Sequence, residues 1–194
     1  MKKLLATTLS LGLLAVTPAF AADPSSMSGF SVGATAEFAG GSSSATDGTS
    51  DNGRSNALGL QARYDWAITP TIAVGLGGSY SSSNHLAGTY ASGVGVVTNN
   101  RYSLDVVPSI AVGNDLTLFG KVSSIYGSAA SDDGVNSANV QGVGYGIGAR
   151  RMLDKKTYLQ VGYDVNKFND VTFATGTTSS LKDNVFSVGV GYKF

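Results

Sequence analysis

The chain carries one histidine and no cysteine. His85 closes the stretch Ser81-Ser82-Ser83-Asn84-His85, with Ser83 two residues before it. A serine nucleophile needs a base within hydrogen-bond reach and a third group to orient that base. An acid could come from elsewhere in the chain, but a lone histidine among loop serines reads as a polar loop residue, and no catalytic residue is assigned. The acids Asp47, Asp51, Asp132 and Asp133 could meet a cation, but Asp132-Asp133-Gly134 lacks the ligand spacing of a calcium loop. Neither a metal nor a cofactor is expected. Lys and Arg total 13 against 13 Asp and Glu, a balance without the basic excess of a nucleic-acid binder.

The remaining charges carry a stronger signal, because they recur on one phase of an alternation. Glu37, Asp65, Asp105 and Asp164, with Arg63, Arg101, Lys121, Arg150 and Lys193, all fall on the phase opposite the apolar residues spaced two apart. The apolar partners form eight runs, 30–38, 58–66, 72–80, 102–112, 116–126, 143–149, 159–165 and 186–194. Period two is the signature of strands with two unlike faces. Between the apolar positions stand mostly Gly, Ser, Thr and Ala, with those few charges. A soluble β-sandwich also alternates, but it needs bulk on its inward face. A small, polar second face suits the narrow interior of a barrel whose apolar face meets lipid.

The connections alternate in length, with long ones over 39–54, 81–99, 128–138 and 169–182 and short ones over 67–70, 113–115 and 152–156. Long loops at one end and tight turns at the other are the pattern of a transmembrane β-barrel, with loops outside and turns in the periplasm. Aromatics gather at the strand ends: Phe30, Tyr64, Trp66, Tyr192 and Phe194 near the turns, Phe38, Tyr80, Tyr102, Tyr126 and Phe186 toward the loops. Bilayer interfaces select two such belts. Pro108 predicts a bulge in the fourth run, Gly120 and Ser124 interrupt the lipid face of the fifth, and the valines at 94, 96 and 97 could extend the fourth beyond the membrane. The Gly- and Ser-rich stretch 40–53 predicts a mobile loop. The second loop, with Leu86 and Tyr90, is the best candidate for a protein contact, and no loop carries a basic cluster suited to lipid-A phosphates.

The first residues are a different material. Lys2 and Lys3 precede an apolar stretch from Leu4 to Val16, and Pro18-Ala19-Phe20-Ala21 reads as a small-residue cleavage site. This predicts a secretory signal peptide over 1–21, a barrel over 22–194 and no lipid anchor, since no cysteine follows the site. Loss of both lysines leaves 11 basic against 13 acidic residues, a net charge of −2.

The last strand ends Val188, Val190, Tyr192, Phe194 at alternate positions. With the eight runs and the leader, this C-terminal pattern resembles the small eight-stranded outer-membrane β-barrel superfamily, which includes the membrane domain of outer-membrane protein A, OmpX and Ail. The resemblance implies an all-β, eight-stranded antiparallel up-and-down barrel in the outer membrane. It implies that Val188, Val190, Tyr192 and Phe194 are an assembly signal for the barrel assembly machinery. The partners it implies are outer-membrane lipid, lipopolysaccharide, and host or surface ligands at the loops. The expected role is structural and surface-interactive, with a narrow porin-like channel as the alternative. A lipid-A-modifying enzyme, which would recruit His85 with Ser83, is less favoured because the strand and loop context does not match. An eight-stranded interior is just wide enough for side chains to fill, so the inward charges predict an ionic plug. Asp105 and Lys121, on adjacent strands at similar height, are its leading pair.

Overall fold

The computed structural model describes residues 27–45, 50–82, 85–89, 95–131, 137–172 and 178–194. The leader over 1–21, Asp47, Ser83, Tyr90, Asp132 and Asp133 lie outside these residues, as do the side chains of Asp51, His85 and Leu86.

The strands are β1 (Gly29–Ala45), β2 (Ser50–Ala67), β3 (Ile72–Ser81), β4 (His85–Thr89), β5 (Gly95–Val112), β6 (Leu116–Ser131), β7 (Ser137–Met152), β8 (Thr157–Phe168), β9 (Val171–Thr172) and β10 (Thr178–Lys193). The wall runs β1-β2-β3-β5-β6-β7-β8-β10, each pair antiparallel, and β1 pairs back onto β10 from Ser31↔Lys193 to Ala45↔Ser179. This is a closed eight-stranded barrel, as the eight alternating runs predicted. The short β4 continues β3 and pairs β5, and β9 continues β8 and pairs β10.

Alternation decides which face is which. Leu58 is 70% exposed and Ile147 71%, while inward Ser31 is 2% exposed and Asp65 5%. The apolar band points outward around the whole wall. A soluble sandwich would bury that face, so these values exclude one.

The wall is longer than the apolar runs suggested. Ala39–Ala45 and Ser50–Arg54 form a continuous ladder that runs on to Ser44↔Ser50, so the expected loop over 40–53 is mostly strand. The loop expectation rested on the lack of apolar side chains, but a ladder is held by backbone hydrogen bonds, and Gly and Ser supply those as well as Val does. β5 likewise begins at Gly95 and β10 at Thr178. A strand of 17 residues such as β1 is roughly 55 Å long at about 3.3 Å per residue, whereas about 10 residues cross a membrane. The turn-side ends are short, so the excess stands at the outer end.

The bulge is not at Pro108. The register is unbroken across it, with Val106↔Val122 and Ser109↔Phe119, so the proline leaves a gap in the ladder without adding a residue. The shift falls between Asn99 and Tyr102. There Asn100 takes φ 47°, the left-handed conformation that asparagine tolerates better than most residues. The Tyr80 hydroxyl donates to Asn100 Oδ1 at 3.1 Å. β6 runs unbroken through Gly120 and Ser124.

Candidate functional site

Among the described residues, paired polar side chains are concentrated in the interior of the barrel. Its inward side chains form tiers, counted here from the periplasmic turns outward.

The lowest tier joins β2, β6, β7 and β8. Arg63 Nε lies 2.9 Å from Asp65 Oδ1, and Arg150 Nη1 reaches Asp65 Oδ2 at 3.5 Å from the far wall. Arg150 also donates to Gln160 Oε1 at 3.4 Å and lies 4.0 Å from the centre of the Tyr158 ring. Arg63 stands 5.7 Å from the Phe119 ring centre. Two guanidinium groups share one carboxylate, and each also faces an aromatic ring, whose negative face helps hold a desolvated cation. Tyr158 is wholly buried, and its hydroxyl donates to the Val32 carbonyl at 3.3 Å. The ring fits because inward Gly33 and Gly191 face it; a Cβ at Gly191 would run into the ring.

In the middle tier Lys121 Nζ meets Asp164 Oδ2 at 2.9 Å. Asp105 accepts a hydrogen bond from Ser103 at 2.7 Å, and Ser103 in turn bonds Ser79 at 2.7 Å. The expected Asp105–Lys121 pair is therefore replaced by Asp164–Lys121. Lys121 turns away from the neighbouring strand toward β8, where Gly146 on the intervening β7 leaves room for the Asp164 carboxylate.

The upper tier contains two of the expected inward charges, Glu37 and Arg101, and one that the sequence reading missed, Asp183. Arg101 bridges two carboxylates, with Nη1 on Asp183 and Nη2 3.7 Å from Glu37 Oε2. Ser81 donates to Glu37 at 2.9 Å, and Asn166 Nδ2 donates to Asp183 Oδ1 at 2.6 Å. Asp183 was missed because the last apolar run starts at Phe186. Extending its inward phase two steps further, through Val185, would have found it. At and around the level of this tier Ala39, Ala57, Ile125, Val140, Phe168, Leu181 and Val185 are buried. They form an apolar collar that the polar reading of the interior did not anticipate. β4 packs against β1 and β2 near this end. Lys193 is buried at the periplasmic end.

Between the tiers the free space is small. One cavity of about 50 Å³ lies among Glu37, Gln61, Arg63, Asp105, Lys121 and Asp164. Another of about 40 Å³ lies among Met27, Asp65, Asn114, Arg150 and Lys193. Each has room for a few waters and for nothing larger. Among the described residues no group of three or more His, Asp or Glu could hold a metal.

On the outer surface, Phe30 lies 5.8 Å from Phe194, Tyr64 4.8 Å from Trp66 and Tyr192 5.0 Å from Phe194, making a cluster at the turn end. Phe38 with Phe186 at 6.3 Å, and Tyr102 stacked on Tyr126 at 5.5 Å, stand at the other end beside Tyr80. In the third short turn, Asp154 accepts backbone N–H bonds from Lys156 at 2.7 Å and Thr157 at 2.8 Å, which hold its carboxyl below the usual range. Interaction with Tyr192, whose ring centre lies 5.5 Å from Lys156 Nζ, raises the pKa of the Lys156 ammonium.

An all-antiparallel wall, apolar outside and ionic inside, with aromatic clusters at both ends, is built for a bilayer. The family described as the outer membrane protein beta-barrel domain matches residues 6–194. The chain belongs to that family. It is an integral barrel of the outer membrane, and its strands cross that membrane. Neisserial surface protein A shares the fold with a TM-score of 0.59 at 17% identity, over 86% of this chain and 98% of that one. Ail, the attachment invasion locus protein of Yersinia pestis, aligns with a TM-score of 0.54 at 20% identity, over 87% of this chain and all of its own. No curated protein matches the sequence.

Proposed function

We propose that this outer-membrane barrel is a closed structural protein that stabilises the membrane and works at its outer face, presenting paired strand ends to surface ligands. The observation that carries this reading is the interior formed by the described residues, in which ionic tiers and buried apolar side chains enclose cavities of about 50 and 40 Å³. Buried charges that have found partners are costly to separate, so thermal motion does not readily open such a plug. In this reading the outward-facing Val188, Val190 and Tyr192 of β10, the strand that closes the seam with β1, together with Phe194 just after it, are what the assembly machinery takes.

Conductance across a planar bilayer tests the proposal. The wild-type barrel should pass no steady current. The Arg150→Ala/Tyr158→Ala pair, which removes two large groups of the lowest tier, should introduce brief openings. A steady ohmic conductance of the wild type would overturn the proposal in favour of the narrow channel.

A further inference from the structure

The outward phase of the strands is almost free of charge, and its exceptions share a sign. Among the described residues, the charged side chains on that phase are Arg54, Lys167, Lys182 and Arg151. Arg151 lies at the periplasmic end and pairs with Asp115 at 2.8 Å. The other three stand together at the outer end, although positions 54, 167 and 182 are far apart in sequence. Lys167 and Lys182 are direct cross-strand partners of β8 and β10. Their Cβ atoms are therefore roughly 5 Å apart, and like charges placed so repel each other. Arg54 lies on the other side of β1, opposite Gly40, which in turn opposes Asn184. Gly40 and Ser42 fill the interval, and a Cβ at Gly40 would meet nothing within 4 Å. The result is a shallow open trough with an arginine on one bank, a lysine pair on the other and the exposed amide of Asn184 beside them.

Height identifies what meets it. Phe38, Phe186 and Tyr163 form one outward row across β1, β10 and β8. The lysine row stands four residues further out, roughly 13 Å along the strands, or about 10 Å above the aromatic row at the usual strand tilt. Aromatic rows mark the edge of the hydrocarbon. The trough therefore stands at the level of lipid head groups, on the wall and beneath the hairpin tips. Among the described side chains, the exposed acid nearest in sequence is Asp170, which follows β8 in the turn before β9.

We propose that Arg54, Lys167 and Lys182 form a binding site for the phosphate groups of lipopolysaccharide in the outer leaflet. A multivalent anion relieves the repulsion of the lysine pair, and Arg54 supplies the planar donor fork that suits phosphate. The reading of the loops alone, which found no basic cluster, missed the site because it is assembled across a strand seam. The inference deepens the outer-face reading above and rests on it only for which end of the barrel points outward.

Native mass spectrometry of the purified barrel in zwitterionic detergent tests the site, with diphosphoryl lipid A as the probe. Each basic residue near an anionic lipid surface is worth about 1 kcal/mol, or roughly fivefold in affinity. Arg54→Ser/Lys167→Ser/Lys182→Ser should thus weaken binding roughly a hundredfold, while Lys155→Ser in a periplasmic turn should leave it unchanged. Monophosphoryl lipid A should bind more weakly than the diphosphoryl form, and added salt should weaken both. Unaltered binding by the triple variant, or an equal loss in Lys155→Ser, would overturn the site. Binding of inorganic phosphate as tight as that of lipid A would overturn the lipid assignment. So would preference for a heparin fragment with the same dependence on the three residues. Heat-dependent gel mobility checks that every variant is folded. A conducting wild type would sink the closed-barrel proposal and leave this one standing, whereas an indifferent triple variant would do the reverse.

Discussion

Removing Asp183 is the sharpest probe of the barrel interior. Arg101 and Asp183 are 8% and 6% exposed. Asp183→Ala strips Arg101 of its closest carboxylate and leaves the Asn166 amide, 2.6 Å from Asp183 Oδ1, without its acceptor. Breaking a buried ion pair by deleting one partner costs about 3–5 kcal/mol, because the surviving charge stays desolvated. Here Glu37 remains 3.7 Å from Arg101, so the loss should sit at the lower end, about 3 kcal/mol. Urea unfolding in lipid vesicles, scored by the mobility of unboiled protein, measures it. The double variant Arg101→Met/Asp183→Ala removes both charges of the pair and leaves Glu37 with the Ser81 hydroxyl, so it should recover most of the loss. The two substitutions would then be non-additive by about 2 kcal/mol, within the range seen for contacting residues. A loss below about 1 kcal/mol for Asp183→Ala, with simple additivity, would refute the reasoning. It would mean that water screens the tier as it screens a surface pair, and the upper tier would no longer count as a plug.

Further outcomes follow from the geometry. Gly191→Val should cut the yield of heat-modifiable barrel sharply, because the added atoms occupy the place of the Tyr158 ring, whereas Gly40→Ala, which faces open space, should fold as the wild type does. Asn100→Val places a branched residue at φ 47° and should cost about 1–2 kcal/mol in urea unfolding, while Asn100→Gly should avoid that backbone strain. The depressed Asp154 carboxyl should stabilise the third periplasmic turn above the ordinary carboxylate range. That contribution should vanish as pH falls through its lowered folded value, and Asp154→Asn should flatten the dependence of the urea midpoint between about pH 6 and 3.

The strands were legible because their cause is local. Alternation at positions such as Leu58, Leu60 and Ala62 against Gly59, Gln61 and Arg63 needs no knowledge of the rest of the chain, and it identifies both the element and its two faces. The outer extensions were not legible, because Gly40–Ala45 has no apolar signal and is a strand only through its ladders to β2 and β10. The bulge was misplaced for a related reason. Proline announces a missing donor, but the extra residue went to Asn100, whose signal is a tolerance for positive φ rather than a clash.

The pairings inside the barrel fail to show in sequence for a geometric reason. Lys121 of β6 meets Asp164 of β8, Arg150 of β7 meets Asp65 of β2, and Arg101 of β5 meets Asp183 of β10. None of these strand pairs is adjacent in the wall. Asp105 and Lys121 looked best because they stand on neighbouring strands, yet long side chains in a narrow lumen reach inward and sideways, past glycines such as Gly146. Closure of the barrel thus decides the partners, and closure is a property of the whole chain. The same argument covers the outer wall. Arg54, Lys167 and Lys182 come near one another because β1 and β10 close the seam, so a scan of single loops finds three isolated cations where the fold has gathered them around one trough. In a barrel of this size, chemistry is placed by circumference, and sequence neighbours predict the wall better than they predict what the wall holds.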